Sequence, residues 1–120
     1  DFIEHWPEEA LTYAQVYTAS GNGPVDVLFS HDVLADTEPI ERRLHVVGAT
    51  TIDRAARSNR LALRSIVESV RPRLLVHGHY HYRYNGVHRC DDGYTTEVVG
   101  LGRDGQGEDS WVVVDLDLWK

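Results

Sequence analysis

The stretch from Asp53 to Val76 constrains the fold more than any other part of the chain. Leu63, Ile66, Val67 and Val70 fall on the i, i+3, i+4, i+7 stripe of an amphipathic helix, and Arg57, Arg60 and Arg64 lie on another face. Pro72 stops that helix, and Leu74-Leu75-Val76 follows at once as a short apolar run of buried-strand character. A helix that hands over so quickly to a buried strand belongs in a mixed α/β layer.

The rest of the chain reads around that unit. Pro7-Glu8-Glu9 predicts a helix start, with carboxylates at the positive end of the helix dipole. That helix is expected to run to about Thr18 and to end in the breaker cluster Ser20-Gly21-Asn22-Gly23-Pro24. Val25 to Phe29 predicts a short, largely buried strand. His31 to about Thr51 lacks periodicity and contains Pro39, so it reads mostly as loop. Asn85-Gly86 predicts a two-residue hairpin turn within Tyr80 to Arg89. Thr95 to Val99 and Trp111 to Trp119 read as the last strands, on either side of a glycine-rich loop from Gly100 to Gly107. The expected fold class is α/β, a mixed layered fold, with residues 1–120 forming a single domain or part-domain.

Composition narrows the function classes. Twelve basic against nineteen acidic residues give a net charge of −7, which disfavours a general nucleic-acid-binding surface. No apolar run approaches the ~18 residues of a membrane span, so no membrane partner is expected. The single cysteine, Cys90, rules out an internal disulfide and suits a reducing, cytoplasmic setting. The chain opens on Asp1 and contains no methionine, so it reads as a processed polypeptide or a piece of a longer one.

Seven histidines are many for this length. Three of them, His77, His79 and His81, follow the Leu74-Leu75-Val76 strand at alternate positions, with Gly78 allowing a bend at the strand exit. Imidazole is the commonest side-chain ligand of transition-metal ions, and a His-x-His pair on extended chain projects to one side. A second strand end, Ser30-His31-Asp32, delivers another histidine beside a carboxylate that is placed to orient it. The remaining candidates read as structural or solvated: His5, His45, His88, the arginines Arg42, Arg43, Arg57, Arg60 and Arg64, and the tyrosine stripe Tyr80, Tyr82, Tyr84. Asp91-Asp92-Gly93 reads as a turn, and Cys90 has no nearby motif partner.

Together, Ser30-His31-Asp32 after one strand and Gly78-His79-Tyr80-His81 after another resemble the C-terminal half of the calcineurin-like metallophosphoesterase family. The resemblance covers most of the chain, including the ending around Val98-Val99-Gly100-Leu101 and Trp111 to Leu118. It implies the C-terminal half of a β-sandwich flanked by helices, and a hydrolase that cleaves phosphomonoesters or phosphodiesters with two divalent metal ions of manganese, iron, zinc or nickel. By that resemblance His31 and His79 bind one metal and His81 the other. Asp32 and His77 are then supporting residues. The family's upstream motifs (Asp-x-His, Gly-Asp-x-x-Asp, and Gly-Asn-His-Asp or Gly-Asn-His-Glu) do not occur here. The bridging carboxylate and the general-acid histidine are therefore expected from an upstream part of the same chain or from a second chain. The alternative is a non-catalytic metal-binding or interaction module built on His77-Gly78-His79-Tyr80-His81.

Overall fold

The structure is a computed structural model that describes residues 11–21, 23–47 and 52–119, with side chains over 11–21, 23–42 and 56–117. The expectations placed on His5 and on the Pro7-Glu8-Glu9 start, and on the side chains of Arg43 and His45, lie outside that description. Four strands form one sheet in the order β1-β2-β4-β3, where β1 is Val27–Ser30, β2 Leu74–His77, β3 Tyr84–Arg89 and β4 Thr95–Gly100. Strands β1, β2 and β4 run parallel to one another, and β3 pairs antiparallel with β4 at the edge. Helices α1 (Tyr13–Ser20), α2 (Glu38–Val47) and α3 (Ile52–Val70) complete a mixed α/β fold.

Helix α3 and strand β2 form where the sequence pattern places them. Leu63, Ile66, Val67 and Val70 are all buried. Arg71 ends the helix in the left-handed region at φ 50°, its N–H reaching the Val67 carbonyl at 2.8 Å, and Pro72 prevents continuation. All four residues of β2 are buried because the strand has neighbours on both sides and apolar layers on both faces. Leu75 packs with Val67, Leu34, Ile40, Tyr80, Tyr84 and Val98 on one face. Leu74 and Val76 pack with Val99 on the other, where Val27, Leu101, Val112 and Val114 join them. Each such buried aliphatic side chain contributes about 1.5–3 kcal/mol relative to exposure.

Four expectations are corrected. The expected helix does not run through Leu11 and Thr12, because α1 starts at Tyr13 behind an N-cap at Thr12, whose side chain accepts from the Gln15 N–H while Gln15 reaches back to the Thr12 N–H. That reciprocal capping box satisfies two otherwise orphan donors. The segment from His31 to Thr51 is not mostly loop, because Glu38–Val47 is helical. Pro39 falls in its first turn, where a missing N–H costs nothing.

The Asn85-Gly86 turn does not form. Both residues lie inside β3, opposite Val99 and Val98, and the chain reverses at Asp91-Asp92-Gly93 instead. There Gly93 takes φ 91°, the Cys90 N–H donates to the Tyr94 carbonyl at 2.8 Å, and the Asp92 carboxylate accepts from the Tyr94 N–H at 3.1 Å. Of two competing turn signals, the later one wins because the earlier would draw 79–83 into a ladder. His79 and His81 both have positive φ and cannot continue one.

Finally, Trp111 to Trp119 is not a strand. Residues 111–115 belong to no strand or helix, and Leu116–Trp119 is a short 3₁₀ turn. Val112 and Val114 turn towards the sheet while Trp111 and Val113 stay exposed. Alternation reports one-sided burial, and it says nothing about whether the backbone finds a ladder partner.

Candidate functional site

Parallel β1 and β2 both point their carboxyl ends at the same edge of the sheet, where α/β proteins hold ligands. His31 leaves β1 and His79 leaves β2 at that edge. Their rings meet: His31 Nε2 lies 2.9 Å from His79 Nδ1, with centroids 4.7 Å apart and planes at 63°. The backbone ties the two turns as well, since the Gly78 N–H donates to the His31 carbonyl at 3.1 Å.

Asp32 holds this junction from beneath. It is buried, and its carboxylate accepts from the Val33 N–H at 2.7 Å, from the Asn59 side-chain amide at 3.0 Å, and from the Tyr80 hydroxyl. Its carboxylate therefore joins the β1 exit to α3 and to the β2 exit, and so positions His31 through the backbone. The Ser30 hydroxyl closes the same turn on the Asp32 carbonyl at 2.6 Å. Burial and the adjacent Asp32 push the Tyr80 hydroxyl far above the usual tyrosine range, so it remains a donor.

His77 faces the core. Its Nδ1 lies 2.9 Å from the Gly78 carbonyl and its Nε2 contacts the Tyr84 hydroxyl. A carbonyl only accepts, so Nδ1 carries the proton and Nε2 accepts from Tyr84. Burial lowers its pKa to about 4, against the raising effect of the Gly78 carbonyl and Asp32. With both nitrogens engaged, neutral His77 offers no lone pair to a metal.

His81 is exposed, and it shares with His79 the unusual left-handed backbone, at φ 55° and φ 69° respectively. The two are therefore not on extended chain, and the same-side projection expected of a His-x-His strand does not apply. Non-glycine residues at positive φ cost about 1 kcal/mol or more and concentrate at functional sites.

The spacing of the pair is that of an imidazole–imidazole hydrogen bond and is also compatible with a shared ion. Bonds of about 2.0–2.1 Å from an ion to two imidazoles at 90–109° place the nitrogens about 2.9–3.4 Å apart, and the observed 2.9 Å lies at the edge of that range. Beside the pair opens a cleft of about 250 Å³, walled by Leu28, Phe29, Leu63 and Ile66. Two imidazoles hold one ion loosely, and the described residues add no bridging carboxylate for a second.

Sequence reasoning missed a second cluster. Glu68, His88 and Cys90 bring one ligand atom each to within 4.8 Å of one another, the only such group of three among the described residues. His88 and Cys90 are buried rather than solvated or isolated. The signal was their i, i+2 spacing, which puts both on one face of a strand. Arg60 is likewise not on a solvated face: it is 3% exposed, with Nε 3.6 Å from a Glu41 oxygen. Arg57 and Arg64 instead pair at the surface with Asp36, at 3.3 and 2.7 Å. Arg42 pairs with Glu38.

No protein-family model, no curated protein and no solved structure matches the chain. Among the described residues no helix is long and apolar enough to cross a membrane.

Proposed function

We propose that the chain contributes to a metal-dependent phosphoesterase, with His31 and His79 holding one divalent ion and His81 contributing to a second. The observation that carries the reading is the 2.9 Å approach of the His31 and His79 imidazoles at the carboxyl edge of two parallel strands. The left-handed backbone at His79 and His81 adds to it, because a fold keeps such strain where it has a use. A divalent pair supplies charge stabilisation for phosphoryl oxygens and an activated water at neutral pH.

The residues of this chain position and exclude. Asp32, Asn59 and Tyr80 fix the two strand exits, and neutral His77 anchors the β2 exit to Tyr84. The apolar wall of Leu28, Phe29, Leu63 and Ile66 keeps water from one side of the imidazole pair. The remaining ligands, including the bridging carboxylate, come from residues preceding this sequence or from a second chain, and with them the sheet would become one layer of a sandwich. A free-standing module coordinating through His77, His79 and His81 has less behind it, since both His77 nitrogens are engaged within the protein.

The test has two parts. The 120-residue chain should bind manganese weakly, and His31→Ala or His79→Ala should abolish that binding. In the full-length natural polypeptide, His79→Ala and His81→Ala should each abolish manganese-dependent hydrolysis of a generic phosphomonoester and phosphodiester. Undiminished turnover in both variants overturns the proposal.

A further inference from the structure

The Glu68–His88–Cys90 cluster lies at the other end of the sheet from the imidazole pair. Register fixes this: His88 pairs with Thr96, one residue before the Glu97–Leu74 pairing, whereas His31 and His79 follow the Ser30–His77 pairing. Four residue rows (74–77) lie between the two positions, a separation of about 16 Å along the sheet at ~3.3 Å per residue.

The chain assembles the cluster from two regular elements. In β3 the buried positions Tyr84 and His88 lie on one face, and buried Cys90 continues the alternation just past the strand end. Glu68 comes from the last turns of α3. The donors are chemically unlike one another: a thiol, an imidazole and a carboxylate. His88 Nε2 stands 3.3 Å from Glu68 Oε1. That is long for an N–H···O hydrogen bond, which prefers about 2.7–3.2 Å. It matches the edge of a tetrahedron with bonds of about 2.0–2.1 Å.

The surroundings suit a cation. Arg64 donates to the same Glu68 oxygen at 3.0 Å, as partners of ligating carboxylates do, and its own charge is met by Asp36 at 2.7 Å. Glu68 is 38% exposed while His88 is 8% exposed, so the site opens to water on the carboxylate side and is closed on the protein side. Thiolate with imidazole selects a borderline-soft divalent ion over magnesium or calcium.

We propose that Glu68, His88 and Cys90 form a separate zinc-class metal site that fastens the end of α3 to β3, with water as the fourth ligand. On binding, the Cys90 thiol releases its proton to solvent and sulfur coordinates the ion; no electron changes hands. The site is independent of the histidines at the opposite end of the sheet.

Cobalt(II) titration of the reduced chain, followed by zinc competition, tests this. Cys90 is the only cysteine, so any sulfur-to-cobalt charge-transfer band in the near ultraviolet reports this position alone. The expected result is such a band, bleached by zinc and absent in Cys90→Ser. His88→Ala and Glu68→Gln should each weaken cobalt binding at least as much as the roughly 10–100-fold that loss of an outer-shell partner costs. The His31→Ala/His79→Ala double variant should keep the band. Glu68→Gln preserves a hydrogen-bond acceptor for Arg64 and alters a half-exposed residue, so it remains informative if His88→Ala fails to fold. No band in the unaltered chain overturns the proposal. So does a band that Glu68→Gln leaves undiminished, or one that disappears with His31 and His79.

Discussion

The two ends of the sheet handle histidine in opposite ways. At the carboxyl edge of β1 and β2, His31, His79 and His81 stand on turns, open to solvent, with two of them at positive φ. At the far end, His88 sits on a regular strand, buried, with Glu68 and Cys90 around it. The first arrangement stores local strain and leans on a buried support made of Asp32, Asn59 and Tyr80. The second needs no strain, because helix and strand geometry alone bring its donors together. A site on turns is thus only as rigid as what lies beneath it, whereas a site on regular elements inherits the rigidity of the core.

That contrast breaks first at Asp32. Asp32→Ala orphans the Tyr80 hydroxyl, the Asn59 amide and the Val33 N–H. At about 1–3 kcal/mol per unsatisfied buried group, the expected loss is roughly 3 kcal/mol or more. Denaturant titration should show it, and manganese binding by the His31–His79 pair should vanish while the cobalt–thiolate band persists in the folded fraction.

The next largest effect is expected at Gly100, which faces Tyr84 across the β3–β4 ladder so closely that an added Cβ overlaps the ring. Gly100→Ala should cost about 1–3 kcal/mol by overpacking. Since Tyr84 also donates to His77, the imidazole pair should loosen with it. A thermal shift no larger than that of a surface substitution would show that the ring moves aside freely.

Tyr84→Phe is expected to cost about 1 kcal/mol at neutral pH through the lost hydroxyl, and to act more distinctly at alkaline pH. Burial raises the Tyr84 pKa well above its ordinary 10, with Asp32 and Tyr82 adding to the rise. The folded state therefore holds its proton where the unfolded state releases it. Stability is intact below pH 10 and falls as pH rises past it towards the folded-state pKa. The phenylalanine variant should lose stability less steeply above pH 10; parallel curves for the two proteins would contradict this.

The smallest effect has the opposite sign. His79→Gly removes the φ 69° strain and should be neutral or stabilising by up to about 1 kcal/mol, glycine's greater unfolded-state entropy offsetting part of the gain. It should still abolish manganese binding. A destabilised His79→Gly would mean that ring contacts, with Tyr80 at 4.7 Å among them, outweigh the backbone strain.

Part of this was legible in the chain. The α3 stripe, the Leu74-Leu75-Val76 strand and the histidines beyond it are local patterns, and local patterns survive into structure when burial and periodicity agree. The His31–His79 encounter was not legible in any local pattern, since 48 residues separate the two and nothing in either segment states their register. The capping box at Thr12 and Gln15 was present in the sequence but was overshadowed by Pro7. The Asn85-Gly86 pair is the clearest failure: a strong local signal yielded to Asp91-Asp92-Gly93 because β4 offered a partner to the longer register.

The sequence by itself determined which segments are apolar and with what period, where α3 stops, and which residues can donate to a metal. Those properties reside in single side chains and their near neighbours. Only the tertiary structure decided that His77 turns inward to Tyr84, that Asp32 supports the histidines from below, that residues 111–115 cover a face without joining the sheet, and that Glu68 meets His88 and Cys90. Each of these depends on a contact between segments distant in sequence, and that contact is chosen by the packing of the whole sheet, which no local pattern encodes.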